Sequence, residues 1–130
     1  MIVVDASVIL EVLLRTPDAQ ALESRLLGSG DVLCAPHLID VEVAQVLRRY
    51  HLAGELTASR GREALLDLAD FPLERFPHTT LLDRIWAVRD NVTAYDGAYV
   101  ALAEALESPL VTRDGRLARS QAGRVPIEVV

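Results

Sequence analysis

The chain has 130 residues, 51% hydrophobic and 25% charged, with a formal net charge of −6 at pH 7. That length supports a single domain over residues 1–130 with a genuine core, and that balance excludes a disordered chain. No apolar run approaches the roughly 20 residues of a membrane span. No basic segment precedes the first apolar run, so no secretory signal is expected. The one cysteine, Cys34, has no internal partner, which suits a reducing compartment. A cytoplasmic protein without membrane association is the expectation.

In chain order, Ile2-Val3-Val4 is a short β-branched run closed by Asp5 and reads as a buried parallel strand. Residues 7–14 follow at helical length. Thr16-Pro17-Asp18 opens a second helix, with Pro17 at its first position and Gly28 beyond its end. Val32-Leu33-Cys34-Ala35 predicts a second strand broken by Pro36. Residues 37–53 predict a helix ending at Gly54, and Thr57 caps another that Pro72 stops. Leu73-Glu74-Arg75-Phe76 alternates like a strand. Residues 79–91 predict an amphipathic helix carrying Trp86, and Thr93 caps a helix reaching about Leu106. Pro109-Leu110-Val111-Thr112 is a further strand, then a helical turn, then Ile127-Glu128-Val129-Val130. Strands alternate with helices, which predicts an α/β three-layer sandwich with a central parallel sheet.

Four acids stand out against this frame: Asp5, Glu42, Asp96 and Asp114. Asp5 and Asp114 follow strands whose carboxyl ends share one sheet edge if the strands are parallel. Asp5 is also a favoured helix cap, and Asp114-Gly115 is also a turn pair. Asp96 sits at the third helical position after Thr93, as in a capping box, with Tyr95 and Tyr99 on either side. Glu42 has no such ordinary role. Its helical neighbours Leu38, Ile39 and Val46 are apolar, so its charge requires an arginine or a metal. Asp40 falls on another side of that helix and reads as a surface acid favoured by the helix dipole. Ser7 and Thr112 add hydroxyls at the same edge. Clustered carboxylates repel and their pKa values rise unless a cation neutralises them, and a hard divalent ion with oxygen ligands resolves this.

The negative total runs against the positive footprint usual for nucleic-acid binding. All 13 basic residues are arginines, however, and Arg113, Arg116, Arg119 and Arg124 lie close in sequence to Asp114. The guanidinium fork suits phosphate, so Arg113, Arg116 and Arg119 are candidate phosphate contacts, with a solvated surface as the alternative. The histidines lack ligand spacing, Cys34 reads as a small buried hydrophobe, and no glycine-rich nucleotide loop is present.

Val3-Val4-Asp5-Ala6-Ser7, the segment from Pro36 to Val43, the block from Thr93 to Glu104, and Pro109–Asp114 with Arg116-Leu117-Ala118 occur in an order that resembles the PIN-domain ribonucleases. Within them the resemblance is to the VapC-type toxins of toxin–antitoxin pairs. It implies Asp5, Glu42, Asp96 and Asp114 as a catalytic, metal-binding quartet, with Ser7 and Thr112 as secondary polar contributors. It also implies Mg²⁺ or Mn²⁺, a homodimer, cleavage of tRNA or ribosomal RNA, and a small VapB-like antitoxin partner. Gly97 stands where many relatives carry alanine, a helix-propensity cost of about 1 kcal/mol. Arg116 and Leu117 replace an acid found in some relatives. Two other readings stay open: a catalytically inactive PIN-like module that binds RNA or protein, and a phosphoryl-transfer α/β protein. The second is disfavoured because the chain has no lysine and because Asp5-Ala6-Ser7 stands where a paired Asp-x-Asp would.

Overall fold

The computed structural model describes residues 1–130. Five strands, β1 (Ile2–Val4), β2 (Leu33–Pro36), β3 (Leu73–Phe76), β4 (Leu110–Thr112) and β5 (Ile127–Val129), make one sheet in the order β3-β2-β1-β4-β5. Every pairing is parallel, with Val3 opposite both Cys34 and Leu110. The central strands β1 and β4 are buried at every position, which explains their unbroken apolar runs.

The helices are α1 (Ala6–Leu13), α2 (Ala19–Leu27), α3 (Ile39–Leu52), α4 (Ala58–Asp70), α5 (Leu82–Ala87), α6 (Ala94–Ala105) and α7 (Gly115–Arg119). Right-handed crossovers place α1 to α4 on one face of the sheet and α5 to α7 on the other. The packing agrees: α1 meets α2, α3 and α4, whereas α6 crosses β1, β2 and β4 with α5 against it. The sheet grows from β1 to β2 and β3 on one side, then restarts at β4 on the other. Between β1 and β4 lies the topological switch point, where the carboxyl ends of an open parallel sheet form a crevice.

The core is continuous through all three layers. Ile9, Leu26, Ile39, Val43 and Leu110 are fully enclosed, each contributing about 1.5–3 kcal/mol relative to exposure. From Gly97 to Ala103 every residue of α6 is buried, so this helix is the spine of its layer. The expected caps are present: Asp5 accepts from the Ser7 and Val8 amides, Thr57 from Arg60, and Thr93 from Asp96.

Three elements differ from the sequence expectation. Pro36 completes β2 instead of breaking it, because the ladder bond to Phe76 O comes from the His37 amide at 2.8 Å, leaving no donor missing. Residues 79–91 are not one helix: Thr79–Leu81 is a 3₁₀ turn, and the helix that follows spans only Leu82–Ala87. Asp40 is held by Arg75, whose Nε and Nη2 reach its carboxylate at 2.8–3.0 Å, tying α3 to β3. Spacing along one helix carries no sign of such a pairing, which spans 35 residues.

Gly97 has ordinary backbone angles for a helix. A Cβ there would meet Val88 Cγ2 at 3.3 Å and Ile85 Cγ2 at 3.5 Å, both methyl groups able to yield slightly. Gly97→Ala is therefore predicted to stabilise the fold by up to about 1 kcal/mol, the helix-propensity gain. Urea unfolding with an unchanged slope checks this; a loss of stability would show that α5 cannot give way.

Candidate active site

The switch-point crevice gathers the four acids from four elements. Asp5 ends β1 and caps α1. Glu42 stands in the first turn of α3, Asp96 in the first turn of α6, and Asp114 caps α7 just after β4. All four line one cleft of about 330 Å³, together with Ser7 and Tyr99. Capping and cleft lining coexist at Asp5 and Asp114, since one carboxylate has two oxygens.

Asp5 is only 7% exposed and is the most constrained of the four. Its Oδ1 accepts from the Ser7 amide (3.1 Å), the Val8 amide (3.3 Å) and the Ser7 hydroxyl (2.5 Å). Its Oδ2 accepts from the Thr112 hydroxyl alone (2.5 Å) and keeps a lone pair for another ligand. Each hydroxyl is in turn an acceptor: Ser7 Oγ takes the Arg113 amide at 3.0 Å, and Thr112 Oγ1 takes the Asp114 amide at 2.9 Å. Ser7 and Thr112 thus clamp Asp5 to the turn after β4. Both are positioning groups, with their protons aimed at Asp5.

Glu42 is half-buried, and its partner is neither arginine nor lysine. The Tyr99 hydroxyl, from a side chain 1% exposed on the opposite helical layer, donates to Glu42 Oε1 at 2.7 Å. Tyr99 is the cleft residue that the sequence offered only as a flank of Asp96. Its placement three residues beyond Asp96 is the signal, and the pairing with α3 is visible only in the fold. Glu11 is a fifth acid lining the same cleft, its carboxylate taken by the Thr16 hydroxyl.

The electrostatics follow from burial and crowding. Burial pushes the Asp5 carboxyl above its usual range despite its hydrogen bonds. Burial also raises Glu42, with the Tyr99 hydroxyl opposing and the charges of Asp96 and Asp5 adding. Asp96 rises through burial and the charges of Asp5 and Asp114. Burial and neighbouring Glu42 push the Tyr99 hydroxyl far upward, so it stays a proton donor. Asp114 departs from the expectation that every clustered acid rises. Burial would raise it, but the Arg116 amide at 2.8 Å and the Arg116 guanidinium at 3.4 Å hold it below the usual range.

The donor set suits a hard divalent cation in its chemistry: all oxygen, largely anionic, and at Asp5, Glu42 and Asp96 without any basic partner. The acids stand around the cleft wall and not in a closed cage, since no three of them approach closely enough to hold an ion as they lie.

The candidate RNA contacts fare differently. Arg113 is committed within the fold, to Val130 O at 3.1 Å and Asp18 Oδ2 at 2.9 Å. Arg116 is 85% exposed beside Asp114. Arg119 is exposed too, with its guanidinium lying over Gly115.

Asp5, Glu42 and Asp96, all raised in the folded chain, favour folding only while protonated. Their contribution is fully present below their unfolded pKa values near about 4 and is lost as pH rises through the raised values. Asp31, Glu104 and Asp114 are shifted the other way, so a variant difference isolates the cluster. In EDTA, Asp96→Asn is predicted to melt a few degrees above the parent at about pH 7 and to lose that advantage toward pH 4. A lower melting temperature at neutral pH would contradict the repulsion.

Comparison with known proteins agrees with this geometry. Residues 2–122 match the family model described as PIN domain. Ribonuclease VapC9 of Mycobacterium tuberculosis is 46% identical over 130 residues, covering 100% of this chain and 98% of that protein. Among solved structures, PAE2754 from Pyrobaculum aerophilum superposes with a TM-score of 0.75 at 22% identity, over 98% of this chain and 90% of that one. VapBC2 from Rickettsia felis, bound to a DNA fragment from its promoter, gives 0.70 at 14% identity over 98% of each chain. A parallel five-stranded sheet with acids at its switch point, matched along its whole length by a named VapC ribonuclease, places this chain in the PIN-domain family, among the VapC ribonucleases.

Proposed function

We propose that this chain is a divalent-cation-dependent endoribonuclease, the toxin of a toxin–antitoxin pair, hydrolysing phosphodiester bonds of tRNA or ribosomal RNA. The observation that carries this reading is the shared cleft: four carboxylates at the switch point, three of them raised in pKa and without basic partners. An inactive binding module has no use for so costly an arrangement.

Asp5, Glu42, Asp96 and Asp114 would hold Mg²⁺ or Mn²⁺. The chemistry such an ion supplies is a lowered pKa of bound water and polarisation of the scissile phosphate. The chain's own groups do the rest. Ser7 and Thr112 fix the Asp5 carboxylate, so that the oxygen with a spare lone pair is held in one place. Tyr99 fixes one oxygen of Glu42, and burial raises the pKa of Glu42, which favours it as a proton acceptor and donor over an ordinary exposed carboxylate. Exposed Arg116 neutralises part of the acid field and meets an incoming phosphate, as does Arg119 at the next turn.

The chain works as a homodimer in the cytoplasm and is silenced by a VapB-like antitoxin. No helix is long and apolar enough to cross a membrane. The fold likeness to the VapBC2 structure supports a partner of that kind.

Purified chain, free of antitoxin, is predicted to cut total RNA into discrete fragments in Mg²⁺ or Mn²⁺ and to stop on addition of EDTA. Asp5→Asn or Asp96→Asn should lower the rate about a thousandfold, the loss of several kcal/mol of transition-state stabilisation. Ser7→Ala, which only loosens Asp5, should cost about 10- to 100-fold. Cleavage that survives both EDTA and Asp5→Asn would overturn the reading.

A further inference from the structure

Asp96 and Asp114 each line two clefts. One is the acid cleft, whose wall also carries Arg49 and Tyr50. The other, of about 450 Å³, extends from the same two acids to Arg89 and Arg116. The acids therefore stand between two arginine-bearing recesses, as expected if a polyanion lies across them.

Arg89 forms no ion pair with any carboxylate. Its Nη1 donates to the backbone oxygen of Trp86 at 2.9 Å, and its guanidinium carbon lies 4.7 Å from the centre of the Trp86 ring. Trp86 is 69% exposed, although it is the largest apolar side chain in the sequence and the only tryptophan. An exposed aromatic ring stacked with an unpaired guanidinium, itself lining a polar cleft, presents two surfaces that unpaired RNA bases use. Bases stack on aromatic and guanidinium planes, and the guanidinium fork holds the neighbouring phosphate. The helix α5 ends at Ala87, so Arg89 lies in the turn just beyond its end.

We propose that Trp86 and Arg89 form a stacking and phosphate-holding subsite for a single-stranded stretch of RNA flanking the scissile bond. The subsite rests on the endoribonuclease reading and sets which RNA segments that site accepts. The competing use of the surface is a contact between copies of the chain through Leu82 and Trp86, one turn apart and both exposed. The open cation of Arg89 and the polar cleft it lines favour RNA.

Because Trp86 is the sole tryptophan, its fluorescence reports on this position alone. The full-length chain carrying Asp5→Asn would be titrated with a mixed pool of short single-stranded oligoribonucleotides, alongside a cleavage assay of the parent on total RNA. Saturable, salt-sensitive quenching is expected. Fluorescence anisotropy of labelled RNA should show about tenfold weaker binding for Trp86→Ala, with most of the affinity kept by Trp86→Phe. Arg89→Ala should weaken binding and lower the salt slope by about one. RNA binding with unchanged emission and unchanged affinity in Trp86→Ala would overturn the subsite while leaving the nuclease intact, provided the parent cuts RNA. Emission that ignores RNA but shifts as the protein is concentrated would assign Trp86 to a contact between copies and likewise overturn it. Quenching without any cleavage by the parent would support the subsite and overturn the nuclease, and absence of both would overturn the two together.

Discussion

Carboxylates held side by side at the edge of a parallel sheet repel one another, and the rest of this molecule is arranged to hold them there. Asp5 and Asp114 are fixed by the β1–β4 pairing, which sets Val4, the last residue of β1, opposite Val111. Glu42 and Asp96 arrive from helices on opposite faces. Separation would relieve the repulsion, but Asp5 and Asp114 each accept several hydrogen bonds, Tyr99 holds Glu42, and the capped first turn of α6 fixes the backbone of Asp96. The apolar core, continuous from α1 through the sheet to α6, supplies the free energy that offsets this crowding. Neutralisation of the cluster is left to a cation or a proton.

The hydroxyl groups show how the crowding is kept ordered. Ser7 and Thr112 each donate to Asp5 and accept from a backbone amide of the turn after β4. These two residues join the first strand's end to the fourth strand's end without adding charge. Tyr99 does the same between the helical layers, from α6 to Glu42 on α3. Arginine is used differently. Arg75 and Arg84 secure Asp40 and Glu104 away from the site, while Arg116 alone touches one of the four acids and draws only Asp114 below the usual carboxylate range. One acid is thereby shifted below the usual carboxylate range and the other three above it.

Much of this was legible in residue patterns, because strands and caps are local. The β-branched run closed by Asp5 and the cap at Thr93 retain their predicted meaning in the fold, and Glu42 is half-buried as its apolar neighbours implied. What sequence did not reveal is what depends on distant pairing. No arginine pairs with Glu42; one of its oxygens is held instead by a tyrosine 57 residues away, reached because β2 and β4 flank β1 and bring α3 and α6 to the same edge. The Asp40–Arg75 tie and the commitment of Arg113 to Asp18 and Val130 are of the same kind. Residues 79–91 were misleading because an amphipathic spacing registers neither the 3₁₀ turn at its start nor the end of the helix at Ala87.

Proton release on cation binding tests the central claim most directly. Carboxyls whose pKa is raised by burial and mutual repulsion must lose their protons when a divalent ion takes their place. Calorimetric titration of the chain with Mn²⁺, repeated in buffers of different ionisation enthalpy, measures that release. The account predicts net release at about pH 5, declining toward pH 8, and loss of most binding when Asp5 and Asp96 are both changed to asparagine. Binding without proton exchange at the acid end, or with equal affinity in the doubly substituted chain, would contradict it.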